Sequence, residues 1–243
     1  MKQIIGITLL SSQLSHTSIL KIGHRGACGY EPENTLVSFN KAIDLGCDGI
    51  ELDIHKCKSG QLIVFHDENL CRLTTSSKKI SELKLSQLKK LKVRETQLIP
   101  TLKEVFDLVD KKCFINIELK GLGVVDALVE LINEYIKNKG WDYNNFIISS
   151  FDLNMLKDFH TKMPNIRIAA LFSQPTIKDV EITKELGAHG IVSNKNNTTQ
   201  ELVDEAHKNG LFIWVYTVNE AEDINKIKAL GVNGIISDFP DRI

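Results

Sequence analysis

The chain has 243 residues, 42% hydrophobic and 25% charged, and its 30 Lys and Arg against 31 Asp and Glu leave a formal net charge of −1. That balance argues against a dedicated nucleic-acid binder, which is usually basic, and no run approaches the roughly 18 consecutive apolar residues that an integral membrane span needs. Five cysteines, at 28, 47, 57, 71 and 113, include no CxxC pair and leave one over in any full disulfide scheme, which fits a soluble, reduced, single-domain α/β protein whose core needs no disulfide or structural metal.

Residues 1–18 begin MKQIIGITLL, one Lys followed by a short apolar run. They fit an N-terminal extension packed on the body of a cytoplasmic protein. The alternative is a signal peptide for export, although Gln13 and His16 interrupt a small-residue cleavage site. Residues 19–243 read as a single domain in which strand and helix alternate. Ile19–Gly23 is a short apolar strand. In Thr35–Leu45, the residues Leu36, Val37, Phe39, Ala42, Ile43 and Leu45 recur at helical spacing and stop at Gly46. Gly49–Ile54 is the second strand. Gln61–His66 reads as another strand, so close behind that the two must pair as an antiparallel hairpin. With Ser59-Gly60 at the turn centre, Asp53 would face His66; a bulge would shift the pairing by one residue and still leave the two side chains near one another. The Lys-rich stretch Ser81–Leu91 has a helical pattern, and Lys78–Arg94 carries seven basic residues against one acidic. A solvated helical face is the plainer reading, attraction of an anionic substrate or phospholipid surface the other.

Thr101–Val109 opens on a capping box, Thr101 to Glu104, and leads to strand Phe114–Leu119 and helix Val124–Ile136. Further strands are expected at Phe146–Ser150, Ile168–Phe172, Gly190–Ser193, Phe212–Val218 and Gly234–Ser237. Helical patterns lie near 155–162, 176–186, 199–208 and 220–230, with the box Thr198 to Glu201 and Asn219 as N-caps of the last two. Eight strands, the first seven each followed by a helix, predict a (β/α)8 TIM barrel, with an open doubly wound sheet as the alternative. Residues 55–100 form a small hairpin and helix insertion after strand two. The last helix is missing or degenerate, and residues 1–18 could partly cover its place.

Chemistry-bearing residues gather at the strand ends, where barrel sites form. Strand one ends in His24-Arg25-Gly26. Glu51 and Asp53 share one face of strand two, about 7 Å apart along it. Asn116, Glu118 and Lys120 share one face of strand three. Inward polar groups in a parallel barrel are costly unless used or paired. Glu51, Asp53 and Glu118 suit one hard divalent cation, Mg2+ or Ca2+, rather than Zn2+. Arg25 and Lys120 could hold phosphate oxygens, and His24 and His66 could exchange protons with the attacking and leaving oxygens.

The series His24-Arg25-Gly26, Glu31-Pro32-Glu33-Asn34-Thr35, Glu51-Leu52-Asp53 and Phe65-His66-Asp67 closely resembles the glycerophosphodiester phosphodiesterase family of phospholipase C-like barrels. Later matches are Pro100-Thr101-Leu102-Lys103-Glu104, Ile117-Glu118-Leu119-Lys120, Ser149-Ser150-Phe151-Asp152, Thr217-Val218-Asn219 and Gly234-Ile235-Ile236-Ser237-Asp238. The resemblance implies a barrel with an insertion after strand two and one divalent cation on Glu51, Asp53 and Glu118. It implies His24 and His66 as the acid–base pair, Arg25 and Lys120 on the phosphate, and Glu33 and Asn34 as shapers of the loop. The implied reaction is metal-dependent hydrolysis of a small-molecule glycerophosphodiester to glycerol 3-phosphate and an alcohol such as choline or ethanolamine. It proceeds through a cyclic phosphate or by direct attack of water.

The family usually has Trp before Thr-Val-Asn, where this chain has Tyr216, with Trp214 two residues earlier on the same face. Tyr216, Trp214 or both could wall the glycerol end, core packing being the plainer reading for Trp214 and for Phe172. Two other functions remain open: a phospholipase- or lysophospholipase-D-like phosphodiesterase, and a non-catalytic phosphodiester-binding barrel. The first lacks an evident membrane helix or exposed aromatic loop. The second would be expected to have lost a histidine or metal carboxylate, and none is lost.

Overall fold

Strands that are apolar on both faces must be covered on both, and a parallel sheet escapes exposed edges only by closing. The computed structural model describes residues 18–243, so the expectations for residues 1–17 fall outside the described residues. The strands in chain order are β1 (Leu20–Gly23), β2 (Gly49–Lys56), β3 (Leu62–Val64), β4 (Lys92–Val93), β5 (Gln97–Leu98), β6 (Phe114–Leu119), β7 (Phe146–Ser150), β8 (Arg167–Phe172), β9 (Gly190–Asn194), β10 (Phe212–Tyr216) and β11 (Gly234–Ser237). The barrel runs β1-β2-β6-β7-β8-β9-β10-β11, all parallel, and closes by Leu20 pairing with Gly234. It is a (β/α)8 TIM barrel, as the strand count predicts.

The helices are α1 (Leu36–Asp44), α2 (Leu85–Leu88), α3 (Leu102–Val109), α4 (Val124–Lys139), α5 (Leu153–Lys162), α6 (Ile177–Glu185), α7 (Gln200–Lys208) and α8 (Ala221–Ala229). All but α2 cover the barrel, and a single 3₁₀ turn, Pro240–Arg242, follows β11. Outward strand residues such as Ile50, Leu52, Ile115 and Ile117 pack against helical Phe39, Val105, Phe106 and Leu128 in one buried cluster. The Thr101–Glu104 capping box forms as read from the sequence. Two other caps differ. Thr199, not Thr198, accepts from Leu202 N to start α7, because the Thr198 hydroxyl is bonded to Ser193 Oγ. The N-cap of α8 is Glu220, since the Asn219 amide is committed to Asp238 and Ser237.

The insertion departs furthest from expectation. Ile54 pairs with Val64, and Phe65 N donates to Asp53 O at 3.0 Å. Phe65, not His66, is therefore opposite Asp53. The cause is a three-residue turn, 58–60, with Gly60 at φ 94°, where the sequence suggested a two-residue centre. The Lys-rich stretch is not one helix but a 3₁₀ turn, Ile80–Glu82, followed by the single turn α2. Its apolar residues Ile80, Leu83, Leu88 and Val93 are drawn instead into a separate small core with Ile63, Phe65 and Leu70.

Inside the barrel, β-strand alternation turns Phe114, Phe212 and Trp214 toward one another, with ring centroids 5.6 Å apart for Phe114–Trp214 and 4.8 Å for Phe212–Trp214. Each ring lies over a glycine on the adjacent strand. A Cβ would come within 2.3 Å of Phe114 at Gly49, 2.3 Å of Phe212 at Gly190 and 2.7 Å of Trp214 at Gly234. Backbone without side chain is what lets three large rings share the interior. Gly190→Ala should therefore destabilise by about 1–3 kcal/mol through overpacking. Urea unfolding should show part of that loss recovered in the double variant Gly190→Ala/Phe212→Leu.

Candidate active site

The carboxyl ends of the strands open on a cavity of about 300 Å³ lined by His24, Arg25, Glu51, His66, Asn116, Glu118, Lys120, Ser149, Phe151 and Tyr216 among others. The first wall is the turn after β1. Gly23 permits it, since a Cβ there would meet Gly26 O at 2.7 Å. Arg25 takes φ 49° and Gly26 φ 84°, a left-handed pair that only the second residue adopts freely. The strain at Arg25 is held by its neighbours: Arg25 N donates to Glu51 Oε2 at 2.9 Å, and Arg25 O accepts from Ser38 Oγ at 2.9 Å and Asn34 N at 3.1 Å. Such strain persists where surroundings over-determine it.

The second wall comes from register. Glu51 lies beside Asn116, and Asp53 beside Glu118, so parallel pairing sets the acidic residues of two strands side by side. Glu51, Asp53 and Glu118 each offer an oxygen within 4.8 Å of the others, and all three are buried. Burial, reinforced by Asp53 and Glu118, pushes the Glu51 carboxyl well above its ordinary value. Burial, with Asp53 beside it, pushes Glu118 up to about 7. Asp53 goes the other way. Burial opposes its charge, but Arg25 and Lys120 outweigh that and hold it below the usual carboxylate range.

The cations sit close: Lys120 Nζ is 2.8 Å from Glu118 Oε1 and 3.5 Å from Asp53 Oδ1, and Arg25 Nε is 3.6 Å from Asp53 Oδ2. Asn34 Nδ2 donates to Asp53 Oδ2 at 2.8 Å, while Asp53 Oδ1 and the cavity-lining Asn116 Oδ1 and Ser149 Oγ are buried with no hydrogen-bond partner. Three crowded carboxylates with an orphaned oxygen fit a hard divalent cation better than they fit one another.

The histidines are held alike. His24 Nδ1 is 2.6 Å from Asp238 Oδ1, and His66 Nδ1 is 2.7 Å from Asp67 Oδ1. Against burial, hydrogen bonds from His24, Cys28 and Asn219 keep Asp238 strongly depressed, and those from Arg72 and His66 keep Asp67 low. Ionised carboxylates only accept, so both imidazoles carry Nδ1–H and leave Nε2 for the cavity. His55 Nε2 donates to His66 O at 3.1 Å, and Arg72 grips Glu33 through two bonds of 2.7 Å and reaches Asp67. Glu33 in turn accepts from Arg25 Nη1 at 2.6 Å. Glu33 and Asn34 thus brace the loop.

The structure brings His24, His66, Arg25, Lys120, Glu51, Asp53, Glu118 and Tyr216 together. Trp214 is excluded: it is 2% exposed and packs among the interior rings, with no place on the cavity wall. Phe172 likewise joins the packing outside the barrel interior. The aromatic partner of Tyr216 is Phe151, edge-on at 6.3 Å. Sequence reasoning assigned no role to Asp238, Asp67, Arg72 or His55. For the two aspartates the signal was present in the matched motifs, but their contacts to the histidines cross loops that spacing does not fix.

The sequence profile of the glycerophosphoryl diester phosphodiesterase family matches residues 24–242. The chain belongs to this family. A glycerophosphodiester phosphodiesterase of Caldanaerobacter subterraneus subsp. tengcongensis is 35% identical over 237 residues, covering 92% of this chain and 96% of the relative. A human lysophospholipase D is 27% identical over 279 residues, with coverages of 97% and 88%. Among solved structures, a glycerophosphodiester phosphodiesterase of Thermotoga maritima superposes with TM-score 0.79 at 32% identity, covering 93% of this chain and 97% of that one. A phosphodiesterase of Oleispira antarctica, solved with its product sn-glycerol-3-phosphate, gives TM-score 0.83 at 26% identity, with coverages of 91% and 94%. The chain is accordingly an enzyme, a phosphoric diester hydrolase of the glycerophosphodiester phosphodiesterase type.

The raised Glu118 carboxyl has a measurable sign. With a folded value of about 7 against an ordinary 4.5, its stabilising protonated form is fully present below 4.5 and is lost as pH rises through 7. In the presence of EDTA, Glu118→Gln should be more stable than the parent at pH 8, by up to about 3 kcal/mol. Thermal unfolding should show the gap closing toward pH 5.

Proposed function

We propose that the chain hydrolyses glycerophosphodiesters such as glycerophosphocholine or glycerophosphoethanolamine to glycerol 3-phosphate and the free alcohol. One divalent cation, Mg2+ or Ca2+, and the imidazoles of His24 and His66 serve the reaction. The observation that carries this reading is two imidazoles in one cavity, each with Nδ1 bound to a carboxylate. Displacement at phosphorus needs one group to take a proton from the attacking oxygen and another to give one to the leaving oxygen. A free Nε2 on each side supplies both, whether the attacker is the glycerol 2-hydroxyl or water. Arg25 and Lys120, now paired with Glu33 and Glu118, would turn to the non-bridging phosphoryl oxygens, Arg as a fork and Lys as a point charge. Tyr216 and Phe151 offer an apolar wall for carbon. A cation on Glu51, Asp53 and Glu118 would withdraw charge from a phosphoryl oxygen.

A second reading concerns acylated substrates. Phe151, on the cavity wall, is 45% exposed, an exposed aromatic side chain that the sequence had not revealed. An exposed ring on the cavity wall would suit an acylated substrate such as a lysophospholipid, and rates on acylated and deacylated forms of one head group separate the two readings.

Release of glycerol 3-phosphate from glycerophosphocholine should be abolished by EDTA and restored by Mg2+ or Ca2+. It should fall at least about 100-fold in His24→Ala and in His66→Ala. Turnover that survives chelation or either substitution rejects the mechanism. Asp238→Asn, which removes the anchor of the His24 tautomer, should lower kcat at least tenfold while KM stays within a few fold.

A further inference from the structure

We infer that His24, Cys28 and Asp238 form a second metal site, softer than the carboxylate cluster and specific for Zn2+, whose occupation shuts the enzyme off. Asp238 Oδ1 accepts from His24 Nδ1 at 2.6 Å and from Cys28 Sγ at 2.9 Å, and Cys28 Sγ lies 4.0 Å from His24 Nδ1. One nitrogen, one sulfur and one oxygen thus fall within 4.8 Å of each other, and all three residues are partly exposed. The cluster is built rather than incidental. Gly29 N donates to Asp238 O at 2.9 Å, a Cβ on Gly29 would lie 2.3 Å from the Phe239 ring, and Tyr30 meets Phe239 edge-on at 5.2 Å. These contacts hold the Cys28 loop against the Asp238 turn. Asn219 Nδ2 fixes the other Asp238 oxygen at 2.7 Å.

Thiolate, imidazole and carboxylate are the donors Zn2+ prefers, whereas the neighbouring all-oxygen set prefers Mg2+ or Ca2+. Tetrahedral Zn2+ with bonds of about 2.0–2.3 Å sets its ligand atoms roughly 3.3–3.6 Å apart. The present separations of 2.6, 2.9 and 4.0 Å straddle that range, so each need change by less than about 1 Å, and water completes the fourth position. On binding, the Cys28 thiol proton passes to solvent, and the three donor atoms form bonds to the ion. The Nδ1 proton of His24 passes to solvent while Nε2 takes one from solvent, so the ring stays neutral and only its tautomer changes. No atom changes oxidation state. With Nε2 carrying the hydrogen and Nδ1 on the ion, His24 can neither accept a proton nor be oriented by Asp238. The inhibition rests on the proposed role of His24, whereas the site itself does not.

Two measurements on the full chain test this. Co2+ titration should give a near-ultraviolet thiolate-to-cobalt band in the parent that is missing in Cys28→Ser and Cys28→Ala. At saturating Mg2+ or Ca2+, Zn2+ should inhibit the parent, and tenfold more of the activating cation should not relieve it. Each Cys28 variant, normalised to its own zinc-free rate and checked for folding by circular dichroism, should need at least tenfold more Zn2+. A cobalt band that survives in both variants, or is absent from the parent, overturns the site. Inhibition that is absent, equal in the variants or reversed by the activating cation overturns the switch. Because the band needs no turnover, it reports on the site even where the hydrolase reading fails.

Discussion

Three carboxyl groups, Glu51, Asp53 and Glu118, share the interior of a closed barrel with oxygens within 4.8 Å of one another, and they cannot all be charged without cations between them. Much of the surrounding architecture answers that constraint. Arg25 and Lys120 lean on Asp53, Asn34 donates to it, and the strained turn at Arg25 presents a backbone amide to Glu51. The result is a split set, with Asp53 low and Glu51 and Glu118 high. Neighbouring acids with opposed environments are a mark of functional sites, and the one buried oxygen of Asp53 left without a hydrogen bond marks where a divalent ion would complete the balance.

What the sequence disclosed follows from periodicity. Strand alternation alone placed Glu51 and Asp53 on one face and Asn116, Glu118 and Lys120 on another, because a period of two leaves no other arrangement. The limits are equally physical. A turn of three residues instead of two shifted the hairpin by one and put Phe65 where His66 was expected. In the Lys-rich stretch, apolar residues at helical spacing served a small local core instead of a helix. Thr198 and Asn219 have capping chemistry, but their side chains are taken by Ser193 and Asp238. Trp214 has the right parity to reach the site and the wrong depth. Depth along a strand depends on stagger, which one strand's sequence does not carry. Asp67 and Asp238 sat inside recognised motifs, yet only the fold shows them holding the histidines.

The insertion acquires a purpose different from the one its charge suggested. Lysines dominate its composition, but the residue that bears on the site is Arg72, joined to Glu33 and Asp67. Through those two acids it links the loop carrying Arg25 to the loop carrying His66. His55, at the end of β2, steadies the His66 carbonyl from below. Two residues far apart in sequence are thereby kept in one geometry by a guanidinium that belongs to neither motif.

The rings of Phe114, Phe212 and Trp214, seated over glycines of neighbouring strands, have a kinetic consequence. They fill the barrel toward the amino ends of its strands, so among the described residues the reaction chamber opens at the carboxyl ends. Both products and the next substrate must share that opening, and departure and arrival become competing traffic. Phe151, on the cavity wall and 45% exposed, stands on that route, where product release is a step separate from the bond-breaking.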